Sequence, residues 1–340
     1  MRSRWFRLVA ALVVVAAVAA LVWANRHELP AAGRALRDAD PAWLAVGAGV
    51  LLIWIADWVL LHLAARRVTG AGGYHEFARL LPVTLASMAL NLAVKSGNVA
   101  GLAAFTLDSR RQEARDPAGR SERGRVTGAY LAAAQTAEVG FVVTLAAGLA
   151  VVSWDGRLER AEIVATVLFS AGLLVRVVAL VAAVRSREVL RRVWTLPGRC
   201  WDRLLRRRHE PRGTEAADEF YDAVAAIRAR PAAAVPAVCF AVAIDLLGAV
   251  VLWASMIAVG AGDRPLVALV AYAVSTLFGI VGVLPGGIGF VEVGAAAALA
   301  SYGVPVGVSA AAVLVFRVFV FWLPLALGGL LAWRLRASPG

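Results

Sequence analysis

The sequence predicts an all-α polytopic membrane protein, and three observations carry that prediction. Hydrophobic residues make up 61% of the 340 and charged residues only 17%, whereas a soluble domain carries about a quarter charged. The excess is gathered into blocks long enough to cross a bilayer, which takes about 20 apolar residues per helix. The arginines sit at block ends and in two connecting loops, the placement that orients a chain in a membrane. Six long blocks argue against a soluble helical protein, and the alternating segments of roughly ten residues expected of an outer-membrane barrel are absent. The net charge of +12 is accounted for by topology, so nucleic acid is not an expected partner.

The first block, Leu8 to Ala24, lies between Arg7 and Arg26. It lacks a clear cleavage site and further spans follow, so it reads as a retained helix rather than a signal peptide. Arg2, Arg4 and Arg7 place the N-terminus in the cytoplasm. The mixed-charge loop Arg26 to Pro41 is then outside, and the block Trp43 to Ala65 returns to Arg66 and Arg67.

The stretch Leu80 to Leu107 is apolar but interrupted. Arg79 precedes it, and Arg110, Arg111, Arg115, Arg120, Arg123 and Arg125 follow, so both flanks favour the same side. Asn91, Lys95, Ser96, Gly97 and Asn98 occupy its centre. The expected form is a broken hairpin that enters from the cytoplasm and returns, with arms of about a dozen residues, too short to span. One continuous helix that violates the charge rule is the alternative.

Two full spans follow, Thr127 to Val152 and Ala161 to Val184, and deliver the chain to a cytoplasmic basic segment, 185–231. Its arginines, from Arg185 to Arg208, interleave with Val189, Leu190, Trp194, Trp201 and Leu204. Such a pattern fits an interfacial amphipathic segment against anionic headgroups, or a solvated loop that fixes topology. A second amphipathic stretch, Thr214 to Arg230, places Phe220, Val224 and Ile227 on one face.

Ala232 to Gly260 crosses outward. Leu266 to Tyr302 is interrupted by Pro285-Gly286-Gly287-Ile288-Gly289, where a missing amide hydrogen and permissive glycines must break the helix. The last block, Ser309 to Trp333, ends at Arg334 and Arg336, so the C-terminus is cytoplasmic and the preceding stretch begins and ends outside. That stretch is either a second hairpin or two spans. About six full crossings around two broken elements in opposed orientation, with tips near mid-membrane, is the resulting architecture, a construction common in transporters. The chain reads as a single integral membrane domain, 1–340, of a bacterial-type cell (inner) membrane.

Charged groups deep in apolar blocks require a partner or a wet cavity. They are Asp57, Lys95, Glu138, Arg176, Asp245, Glu292 and Arg317. Lys95, the only lysine, lies at the first break, where freed amides and a cation suit a phosphate or carboxylate. Alternatively it pairs with Asp57, Glu138 or Asp245, the candidate buried counter-charges. Glu292 sits at a new helix N-terminus, where a carboxylate is favourable, and Arg317 meets either a headgroup or Glu292. Arg176 is close enough to the cytoplasmic end to snorkel. A polar cavity around Asn91, Lys95, Gly97, Glu292 and Arg317, with the helix break at Pro285, Gly286, Gly287 and Gly289, is the candidate site. Cys200 and Cys239 and the four histidines His27, His62, His75 and His209 form no ligand cluster in sequence, so neither a metal nor a cofactor is expected. No catalytic motif is present, and no enzyme activity is expected.

The C-terminal third, Leu284-Pro285-Gly286-Gly287-Ile288-Gly289-Phe290-Val291-Glu292, then Tyr302-Gly303-Val304-Pro305, Phe316-Arg317, Phe321-Trp322-Leu323-Pro324 and Gly328, resembles the transmembrane, flippase-like domain of lysylphosphatidylglycerol synthases and its stand-alone relatives. The stretch Asn91 to Gly101 keeps the Asn and glycines of the corresponding N-terminal region but not its frequent Pro and Gly-Glu. The resemblance implies movement of a lipid between leaflets by a stand-alone member that lacks the soluble aminoacyltransferase domain. It extends the possible substrates to polyprenyl-linked lipids and glycolipids. Translocation of an anionic or zwitterionic lipid is the functional expectation, with membrane lipids as partners. The alternative is a non-catalytic scaffold or accessory protein that joins a lipid-modifying enzyme or an envelope-assembly partner through the basic segment.

Overall fold

The computed structural model describes residues 29–94, 98–115, 122–154, 188, 214–282 and 284–337. Its elements are helices: α1 Leu29–Arg37, α2 Pro41–Thr69, α3 Phe77–Ala93, α4 Val99–Arg115, α5 Glu122–Trp154, α6 Thr214–Ala229, α7 Pro231–Ala258, α8 Pro265–Val281, α9 Phe290–Ser301, α10 Val306–Arg317 and α11 Leu323–Ala337. Four stretches are long and apolar enough to cross a membrane: Pro41–Thr69, Arg125–Ala147, Pro231–Ala258 and Val306–Trp333. They correspond to four of the six predicted crossings. The other two, Leu8 to Ala24 and Ala161 to Val184, lie outside the described residues, as does most of the basic segment. The protein is an all-α multi-pass membrane protein.

α2 starts cleanly because Asp40 accepts the Ala42 amide hydrogen at 2.8 Å and Pro41 opens the helix. It packs along α7, and the Asp40 amide donates to the Ala258 carbonyl at 2.8 Å. The start of one helix therefore meets the end of the other, and the pair is antiparallel. Val59, Leu61, Leu63, Leu252 and Met256 are fully buried in the core around them. Leu52, Ile53, Leu330 and Trp333 are exposed, an apolar outer surface of the kind a membrane protein carries.

The two interrupted stretches are both helix–break–helix units, α3–α4 and α8–α9. Arg79 and Asp108, the residues that bound the first stretch in the sequence, are ion-paired at 3.4 Å. Glu76 binds Arg79 and also Arg66 at the C-terminal end of α2. Both ends of the first unit thus lie at that end of α2. Arg264, just before α8, donates to the carbonyl of Tyr302, just after α9, at 2.9 Å. Arg264 follows the end of α7 that meets Asp40, so the second unit is closed at the opposite end. The two units are therefore closed at opposite ends of the α2–α7 pair. The arms of the first are 17 residues each, longer than the dozen expected from apolar content, because both helices continue into polar residues such as Arg79 and Asp108.

α6 packs its Phe220 face on α5, so this amphipathic face is partnered by protein. At Gly328 an added Cβ would overlap the Leu85 carbonyl, which brings α11 and α3 into backbone contact. Between α10 and α11 a single π-helical turn, Val318–Trp322, carries the chain past Pro324, which has no amide hydrogen to donate.

Candidate functional site

The second break is built by backbone chemistry and closed by an ion pair. Pro285–Gly287 forms one 3-10 turn, and Gly286 has φ 61° with the ring of Phe321 where a Cβ would stand. Glu292 accepts the Gly289 amide hydrogen on Oε2 at 2.7 Å and caps α9. Its Oε1 accepts from Arg317 Nε at 2.7 Å, and Arg317 also donates to the Gly286 carbonyl at 2.9 Å. The guanidinium carbon lies 4.2 Å from the centre of the Phe321 ring. Of the two readings the sequence allowed for Arg317, the structure shows the pairing with Glu292.

The first break contains no proline and is held from outside itself. Val94 is extended and Asn98 has φ 71°, a left-handed conformation that Asn tolerates. Asn91, in the last turn of α3, accepts the Gly101 amide hydrogen at 2.7 Å and donates to the Tyr130 hydroxyl at 3.0 Å. Tyr130 of α5 donates in turn to the Asn98 carbonyl at 2.7 Å. Gly101 is required by close approach, since a Cβ there would overlap Ser87, Asn91 and Tyr130 together.

Both breaks border one partly open cavity of about 540 Å³. Asn91 and Asn98 come from the first break, Gly286 and Gly287 from the second, and Arg317 and Glu138 contribute charge to its wall. The α3 helix packs on the Pro285–Gly287 turn, which brings the two units together. Along α2 the cavity is faced by Trp54, Trp58 and His62, spaced four residues apart on one helix face. His62 stacks on Phe105 at 4.8 Å and on Tyr130 at 5.6 Å between ring centres.

The predicted residues fall into three groups. Asn91, Glu138 and Arg317 line the cavity, with Glu292 paired behind Arg317. Asp245 and Asp57 are buried in the bundle. Asp245 accepts the Tyr272 hydroxyl at 2.9 Å, and Asp57 Oδ2 has no hydrogen-bond partner among the described residues. Lys95, Gly97 and Arg176 lie outside the described residues. Sequence reasoning missed His62, Tyr130 and Tyr272. The Trp54, Trp58, His62 repeat was the available signal for the first of them. No sequence signal marked the tyrosines, whose partners are 27 to 39 residues away.

A comparison with protein families matches residues 8–328 to the family described as Lysylphosphatidylglycerol synthase TM region. No curated protein and no solved structure matches the chain.

Proposed function

The chain belongs to the lysylphosphatidylglycerol synthase TM region family, a membrane-embedded, lipid-related family, and from that premise we propose that it carries the headgroup of an anionic or zwitterionic lipid, phospholipid or polyprenyl-linked, between leaflets. The observation that carries this reading is the 540 Å³ cavity with both helix breaks in its wall. Irregular backbone at membrane depth is tolerated where it is buried in protein or lines a cavity, and broken helices around a polar site are a transporter construction. The acyl tails stay in the bilayer while the headgroup passes through a mostly apolar cavity whose few polar groups, Arg317 and Asn91 among them, lower the cost of bringing charge across hydrocarbon. The proposed process makes and breaks no covalent bond and uses no cofactor. Its setting is a bacterial-type inner membrane, with both chain termini in the cytoplasm as the arginine distribution favours.

The test uses the purified full chain in liposomes with phosphatidylglycerol, phosphatidylethanolamine or a polyprenyl phosphate, each fluorescently labelled on its polar part. A membrane-impermeant quencher reads the label in the outer leaflet. Protein-containing vesicles are expected to lose signal well beyond the half that protein-free vesicles lose. Equal loss in both, for every lipid in the panel, overturns the proposal.

A further inference from the structure

Four hydroxyl groups around the cavity have their hydrogens committed to protein acceptors. Tyr130 donates to the Asn98 carbonyl, and Tyr272 to the Asp245 carboxylate. Ser275 and Thr276 each donate to the Tyr272 carbonyl, at 2.7 and 3.1 Å. What these groups leave towards the cavity is lone pairs. Glu138 adds a carboxylate to the same wall. Arg317 is a donor on the same wall, and two of its three nitrogens are bound to Glu292 and Gly286.

His62 shows the pattern most clearly. It is 5% exposed, and its Nδ1 lies 2.8 Å from the Trp58 carbonyl. A carbonyl only accepts, so Nδ1 carries the hydrogen, and the neutral ring has a lone pair at Nε2. A protonated ring at this depth would require a carboxylate in contact, and none is bonded to it among the described residues. Nε2 has no partner among the described residues, nor is it sealed in the core as Trp54 Nε1 and Trp58 Nε1 are. His62 is one of the residues that line the cavity.

We infer that the cavity selects headgroups carrying N–H or O–H donors, with His62 Nε2 as the acceptor that reads them. The inference rests on the lipid-binding reading above but concerns binding, not crossing. A buried acceptor left unmatched by its ligand is costly, so a headgroup without donors is disfavoured even at equal charge and size class. An ammonium and a glycerol or sugar hydroxyl both supply the required hydrogen, and the test separates them.

The full chain in detergent is equilibrated with equimolar dioleoyl phosphatidylethanolamine, phosphatidylglycerol and phosphatidylcholine, and retained lipid is counted by native mass spectrometry. Phosphatidylcholine has the charge of phosphatidylethanolamine but only methyl groups on nitrogen. At least one donor lipid is expected to be retained roughly fivefold to tenfold over phosphatidylcholine, the effect of about one hydrogen bond. Preference for phosphatidylethanolamine assigns the donor to an ammonium; preference for phosphatidylglycerol assigns it to a hydroxyl. His62→Phe keeps an aromatic ring against Phe105 and Tyr130 and should erase the preference. Equal retention of all three lipids by the wild type overturns the inference whether or not that variant folds, as does a folded His62→Phe protein that keeps the preference. Retention preference without movement in liposomes would remove the translocation proposal and leave this one standing.

Discussion

Replacing Glu292 by Gln asks how much the second break depends on its ion pair. The change is nearly isosteric. The Gln oxygen still accepts the Gly289 amide hydrogen, so the helix cap is spared and the perturbation falls on charge. Arg317, with its side chain 6% exposed, then loses its counter-charge. Two unit charges about 4 Å apart attract by about 4 kcal/mol at an effective dielectric of about 20. The Glu292 side chain is 28% exposed, so solvent screens part of that attraction. A loss of about 2 to 3 kcal/mol is expected, just under the 3–5 kcal/mol typical of breaking a fully buried pair. Equilibrium unfolding in mixed detergent micelles, followed by tryptophan fluorescence, measures it. The double variant Glu292→Leu/Arg317→Leu removes both charges and should fall short of the sum of its single variants by about 2 kcal/mol. A Glu292→Gln protein within about 0.5 kcal/mol of wild type, or additive leucine variants, would refute the reasoning and leave the turn held by its backbone alone.

Gly101→Ala drives a methyl group into Ser87, Asn91 and Tyr130, and a loss of about 1 to 3 kcal/mol is expected from overpacking. Tyr130→Phe in the same protein should recover part of it; full additivity in the same unfolding assay would count against the clamp. Gly328→Ala pushes α11 off the Leu85 carbonyl and is expected to destabilise by more than about 2 kcal/mol. Its neighbour Gly329 has open space around a Cβ, so Gly329→Ala should be neutral or stabilise by up to about 1 kcal/mol through helix propensity. Indistinguishable midpoints for these two variants would contradict the helix crossing described here.

The sequence and the structure agree most closely where the information is local. Block length and arginine placement located Pro41–Thr69, Pro231–Ala258 and Val306–Trp333 to within a few residues. The second break was legible because Pro285 and Gly286 act on their own backbone: one lacks a donor and the other sits at φ 61°. At the first break, polar residues and an asymmetry of flanking charge marked the place. The groups that hold it are Asn91 and Tyr130, and the second is contributed by another helix. Arg317 illustrates the same limit. Its separation of 25 residues from Glu292 leaves no periodicity to connect them, so a headgroup and a carboxylate were equal partners until the helices were packed. His62 was passed over because a single histidine is weak evidence for a ligand set, whereas its value here lies in one uncommitted nitrogen.

The lengths of the hairpin arms bear on the lipid as well as on the protein. α9 has 12 residues and α8 has 17, which at 1.5 Å per residue gives rises of about 18 and 26 Å. A hydrocarbon core is about 30 Å thick. Phe278, close to the broken end of α8, is exposed. A helix shorter than the hydrocarbon core costs fractions of a kcal/mol per ångström of mismatch where it meets acyl chains. Where acyl chains meet such an arm, thin bilayers relieve the mismatch and thick ones oppose it, so acyl-chain length is an expected control on the protein.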